Sequence, residues 1–208
     1  MPEFLLNAFI TLIVVIDPVG VAAAFVALSA AYPPGERRGT ALRGVALAGV
    51  ILLFFALVGN AFLGALGIGL PAFRIAGGIL LFYLALEMIL VRQSGARATP
   101  SERAEAGERE DISVFPLAIP LIAGPGAITS TVLLMGQAAQ TPGLGAGLLA
   151  MLAVALGLTL LALLMAARLM RLLGVTGTNV VGRVLGIVLA ALAVQFVLDG
   201  LAGAGIMP

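Results

Sequence analysis

The chain has 208 residues, 62% of them hydrophobic and 10% charged, with a net charge of +1 and a mean hydropathy of +1.20. Soluble domains are roughly 45–50% apolar, so this composition indicates an integral membrane protein, expected to form one domain over residues 1–208, with no broad basic footprint for nucleic acid. Without Cys or His, disulfides, thiolate chemistry and the usual zinc sites are excluded, and all eleven basic residues are Arg, which excludes a lysine Schiff base.

Six apolar segments are long enough for a hydrocarbon core of about 30 Å, which takes about 20 helical residues. They are roughly Phe4–Ala31, Ala41–Leu66, Pro71–Val91, Ile112–Gln137, Leu144–Ala167 and Gly182–Ala202. In the first, Ala27-Leu-Ser-Ala30 resembles a cleavage site, but no basic stretch precedes the apolar run and Asp17-Pro18 interrupts it. The segment is therefore expected to be retained as a span. Helix starts are expected at Leu70-Pro71, Asp111 and Thr141-Pro142. Between the third and fourth segments, Gln93–Asp111 mixes Arg with acidic residues and reads as a solvated linker.

The fourth segment carries the most informative stretch, Pro120-Leu-Ile-Ala-Gly-Pro-Gly-Ala-Ile-Thr-Ser130. In water a helix would stop at Gly124-Pro125, because proline lacks a donor and clashes with the preceding turn. In a bilayer every backbone polar group needs a partner, so the stretch reads as a membrane helix interrupted near its midpoint. Ile16-Asp-Pro-Val-Gly20 is a weaker copy in the first segment.

Arginine sets the expected orientation. The connections after segments one, three and five hold Arg37, Arg38, Arg43, Arg92, Arg97, Arg103, Arg109, Arg168, Arg171 and Arg183, whereas the opposite side holds Arg74. The positive-inside rule then makes the arginine-rich side cytoplasmic and puts both termini outside the inner (plasma) membrane.

Markers recur at nearly one offset. Pro18 and Pro125 are 107 residues apart, as are Leu66-Gly67-Ile68 and Leu173-Gly174-Val175, while Arg74-Ile-Ala-Gly77 and Arg183-Val-Leu-Gly186 are 109 apart. This predicts an all-α membrane protein of six transmembrane helices as two inverted three-helix repeats, about 1–92 and 112–208, with helices 1 and 4 broken near the midplane. Such repeats with broken helices point to a secondary transporter with a midplane site.

The candidate substrate-binding residues are Asp17, Pro18, Gly20, Gly124, Pro125, Gly126, Ala127, Thr129 and Ser130. Asp17 caps a re-started half-helix at Pro18, or ligates a substrate ammonium and carries the coupling cation. The Gly126 and Ala127 amides open a half-helix whose N-terminal end suits a carboxylate. Thr129 and Ser130 add hydroxyl contacts, or bond to carbonyls four residues back. Together the breaks match a zwitterion. Arg74 and Arg183 are expected to open helices beside an acidic or carbonyl partner, with gating or interfacial roles. Glu87 snorkels to the interface or couples an ion. Asn60, Gln195 and Asp199 read as interhelical hydrogen-bonders. No catalytic constellation, metal site or cofactor is expected beyond a coupling H⁺ or Na⁺, and the oligomeric state is open.

Four stretches resemble the MarC / small neutral amino acid transporter family of bacterial and archaeal inner-membrane proteins. They are Ile16-Asp-Pro-Val-Gly20, Gly67–Ile79, Phe115–Ile128 and Val194-Gln-Phe-Val-Leu-Asp-Gly200, in order along essentially the whole chain. The resemblance implies six spans and cation-driven movement of glycine, alanine and similar substrates across the lipid bilayer. Ala23 departs from the pattern, since many relatives have proline there. Export of another small metabolite and a non-transporting membrane scaffold are the competing readings; an intramembrane enzyme lacks a nucleophile–base pair.

Overall fold

The computed structural model describes residues 2–30, 32–90 and 111–206, and the regular structure among them is helical throughout. Seven helices follow in order: α1 (Pro2–Ile16), α2 (Pro18–Leu28), α3 (Pro34–Ala65), α4 (Leu70–Leu90), α5 (Pro125–Ala138), α6 (Leu144–Leu164) and α7 (Ala166–Gly203). Before α5, Ser113–Ile122 forms a wider coil. The expected linker over 93–110, and Arg92, Arg97, Arg103 and Arg109 with it, lie outside the described residues.

α1 and α2 form one apolar stretch, Pro2–Leu28, and α3, α4, α6 and α7 are each long and apolar enough to cross a bilayer. Ser113–Ile122 and α5, bent by 56° at their break, supply a sixth span when taken together. Burial shows which spans are central, and most of Ser113–Ile122 and α5 is buried. The Pro2–Leu28 window is 56% buried, against 28–33% for the other four spans measured this way. Outward apolar side chains, such as Phe54 and Leu57 on α3 and Val184 and Ile187 on α7, are exposed as lipid contact requires.

α4 packs most extensively on α7, at points where glycines remove the side chain between backbones. A Cβ at Gly78 would lie 2.7 Å from the Ala193 carbonyl oxygen and from Val197 Cγ2, and one at Gly186 would lie 3.0 Å from Met88 Cβ. This is small-residue packing as membrane helices use it, where close van der Waals contact replaces the hydrophobic drive.

Several expected boundaries move. The last span begins well before Gly182, because Gly177 and Gly182 stay helical and the bend falls at Gly174 (φ 62°, ψ −175°). Arg183 consequently lies inside α7 and does not open a helix. The fifth span starts after Gly143, which takes φ 84°, and not at Thr141-Pro142; it ends at Leu164, three residues short of Ala167. Asp111 lies one residue before the N-cap, Ile112, and its Oδ1 accepts the Ser113 N–H at 2.9 Å. That amide first, then the Ser113 hydroxyl and Arg43, hold the Asp111 carboxyl below its ordinary range.

Replacing Gly78 by Val pushes Ala193 and Val197 of α7 away from α4 and should lower stability by about 1–3 kcal/mol. Gly64→Ala, with nothing within 4 Å of the added Cβ, should leave thermal unfolding in detergent unchanged, and equal effects of the two substitutions would refute the packing role of Gly78.

Candidate functional site

The first break is a one-residue hinge. Pro18 has no N–H, so the Val14 carbonyl loses its usual partner four residues on. Asp17 takes a left-handed conformation (φ 55°, ψ 68°), tolerated by Asp far better than by bulky residues. Its carboxylate Oδ1 accepts the Gly20 N–H at 3.0 Å, which occupies the donor that would serve the Ile16 carbonyl. The ladder then resumes on both sides, with Asp17 N–H bonded to Ile13 O and Val21 N–H to Asp17 O, each at 2.9 Å. A Cβ at Gly20 would collide with the Asp17 carboxylate, so glycine is what lets the cap close. α2 continues through Ala23 without a second kink.

The second break is wider. Pro116 and Pro120 follow cis peptide bonds, and the residues before them, Phe115 and Ile119, are extended (φ −129° and −126°), as residues preceding proline tend to be. Ile112 O cannot bond to Pro116, which has no donor, and accepts instead from Leu117 N–H at 3.2 Å; Ala118 O likewise accepts from Ala123 N–H at 2.9 Å. Both bonds skip one residue and widen the coil. The chain then turns at Gly124 into α5, whose Ile128 N–H bonds to Gly124 O at 3.0 Å. Among the described residues no carbonyl receives the Gly126 or Ala127 N–H. Two donors are thus left at the positive end of α5.

The breaks are neighbours. A Cβ on Gly126 would lie 3.2 Å from Val15 Cγ1, 2.8 Å from Leu84 Cδ1 and 3.0 Å from Leu81 Cδ2. The last turn of α1, where the Val14 and Ile16 carbonyls lose their usual donors four residues on, therefore lies against the first turn of α5, with its unpaired amides. Val15, Leu84, Pro120–Ile122 and Gly124–Ala127 line a cavity of about 10 Å³, room for about one water. In this conformation it is too small for an amino acid.

One turn on from Gly126 in α5, Ser130 is fully buried and its Oγ has no partner among the described residues. The bond to a carbonyl four residues back, one of two readings for Thr129 and Ser130, is made by Thr131 instead, to Ala127 O at 2.7 Å. Thr129 is buried with its methyl against Gly77 of α4.

The outlying groups lie on α3, α4 and α7. Arg74 packs beside Gly200 of α7 and its Nε is buried without a partner; the acidic or carbonyl group expected for that atom is not found among the described residues. Arg183 is exposed, and Glu87 sits in the last turn of α4. The expected interhelical role of Gln195 and Asp199 gives way to a bond within α7, Gln195 Nε2 to Asp199 Oδ1 at 2.7 Å. Asn60 of α3 lies beside Gly136 of α5. Sequence reasoning missed Val15, Leu81 and Leu84, since an apolar side chain at a break carries no signal of its own. It also missed the doubled Phe-Pro/Ile-Pro spacing, which is legible as two prolines four residues apart.

The pattern of the family described as "MarC family integral membrane protein" matches residues 2–205. A UPF0056 membrane protein of Methanocaldococcus jannaschii is 38% identical over 204 residues, covering 97% of this chain and 98% of its own. The UPF0056 membrane protein YhcE of Escherichia coli is 35% identical over 195 residues (94% and 90%), and YvbG of Bacillus subtilis 34% over 206 residues (98% and 96%). No solved structure matches the chain.

An unpaired buried hydroxyl destabilises the fold that holds it. Ser130→Ala should therefore leave the melting temperature unchanged or raise it, by an amount equivalent to about 1 kcal/mol. Gly20→Ala should lower it by displacing the Asp17 cap, a loss of about 1 kcal/mol. A large loss of stability in Ser130→Ala would mean that the hydroxyl has a structural partner.

Proposed function

The chain belongs to the MarC family of integral membrane proteins, and we propose that it is a cation-coupled secondary transporter of small neutral amino acids of the glycine, alanine and serine type. The observation that carries this reading is the meeting of opposite helix ends at the paired breaks, Val15 of α1 against Gly126 of α5. The α5 amides favour a carboxylate, and freed carbonyls with the nearby Asp17 favour an ammonium or a coupling H⁺ or Na⁺. The buried Ser130 hydroxyl supplies a further hydrogen bond that the protein itself does not use.

Because the cavity holds about one water, substrate binding requires the helices around it to part. In the proposed mechanism the two inverted three-helix halves rock against each other, opening the site to one side at a time. Arg74, Arg183 and Glu87 act at the periphery of this motion, outside the binding contacts. The protein lies in the plasma membrane as a multi-pass transporter with both termini outside, and it is not an enzyme. Export of a different small metabolite would use the same breaks with another ligand; a non-transporting scaffold would have no use for them.

Counterflow tests the reading without knowledge of the coupling ion. Proteoliposomes preloaded with unlabelled glycine, alanine or serine should accumulate labelled alanine. Asp17→Asn should abolish accumulation, and Ser130→Ala should lower it about tenfold or more, the effect of one hydrogen bond to a charged group. Folded protein that exchanges no amino acid would refute the assignment and favour the other two.

A further inference from the structure

A second cavity, of about 600 Å³, lies at the far end of α2 from the Asp17 break. The 11-residue length of α2 separates the two by about 17 Å at 1.5 Å per residue. Its walls are apolar, with Phe25 and Val26 of α2 facing Leu163 of α6 and Ala167 of α7, while Arg37 and Arg38 of α3 line it with charge. Every one of these residues sits at a helix end, where α2 and α6 finish and α3 and α7 begin, which is headgroup depth in a bilayer.

The polar groups are arranged with some rigidity. Arg37 Nε donates to Tyr32 O at 2.9 Å and its Nη2 to Ala30 O at 3.0 Å, so the guanidinium is fixed by the carbonyls of the α2–α3 turn. The Ser29 hydroxyl is turned inward, donating to Phe25 O at 2.6 Å. Arg38 is exposed and has no partner among the described residues. Arg168 and Arg171 follow on the first turns of α7, so the surrounding field is positive.

We infer that this pocket binds the headgroup of an anionic phospholipid, its phosphate on Arg37 and Arg38 and the first part of an acyl chain along Val26, Leu164 and Ala167. The charge complementarity and the change from charged rim to apolar wall fit an amphiphile better than a free amino acid, which has no chain to cover those walls. Basic pockets between membrane helices recognise anionic headgroups in this way. The site is independent of the transport reading and survives its failure.

Native mass spectrometry of delipidated protein, with phosphatidylglycerol or phosphatidylcholine added back, tests it. Retained phosphatidylglycerol should exceed phosphatidylcholine at least fivefold. Arg38→Gln, at an exposed position where folding is not at stake, should cut that retention roughly fivefold, the effect of one arginine near an anionic headgroup. Ala167→Phe, which narrows the cavity and leaves its charge intact, should also lower it. Equal retention of the two lipids, or unchanged retention in either variant, would overturn the proposal. Displacement of the lipid by inorganic phosphate alone would overturn it in favour of a free anion.

Discussion

Everything in this protein follows from one constraint: in a bilayer a backbone N–H or C=O without a partner is expensive, yet the chain places prolines inside two of its spans. Each proline deletes a donor, and the structure answers differently in the two places. At Asp17-Pro18 a carboxylate folds onto Gly20 and a single left-handed residue restores the ladder. At Phe115–Pro125 two bonds shift by one residue and the coil widens. In the second case two amides are left over, and they lie against the last turn of α1, where Pro18 withholds a donor from Val14.

Proximity brings the two local defects together. A helix C-terminal end carries partial negative charge and an N-terminal end partial positive charge. Set against each other under nearly complete burial, they lie within an apolar wall of Val15, Leu81 and Leu84. Gly126 is decisive for this contact, because a side chain there would push α5 away from both α1 and α4. The glycine-mediated pairing of α4 with α7 gives these broken elements a firm support, and Gly77 extends it by seating the Thr129 methyl.

Much of this was legible in the chain. The Asp17-Pro18 and Gly124-Pro125-Gly126 breaks stand where the residues put them, and Asp111 accepts the Ser113 N–H at the start of its span. The failures have local causes. Gly182 reads as the start of the last span, but a helix packed along its length passes through single glycines, and Gly174, at positive φ, is where it bends. Gln195 and Asp199 read as hydrogen-bonding across helices, although their spacing of four already favours a bond within one. Ser130 and Thr131 both carry a hydroxyl able to bond back to a carbonyl; only the packing left the first without a partner among the described residues and gave the second one.

The sequence by itself determined that the chain is a helical membrane protein, where its donors are missing and which residues are small enough for close approach. Those are properties of residue type and spacing, enforced by the solvent the chain must live in. Tertiary structure alone decided that the two breaks meet, that the cavity between them admits about one water and that the larger basic pocket lies at the other end of α2. These depend on which helix faces are turned toward each other, and that is set by the packing of all the spans at once, which no single stretch encodes.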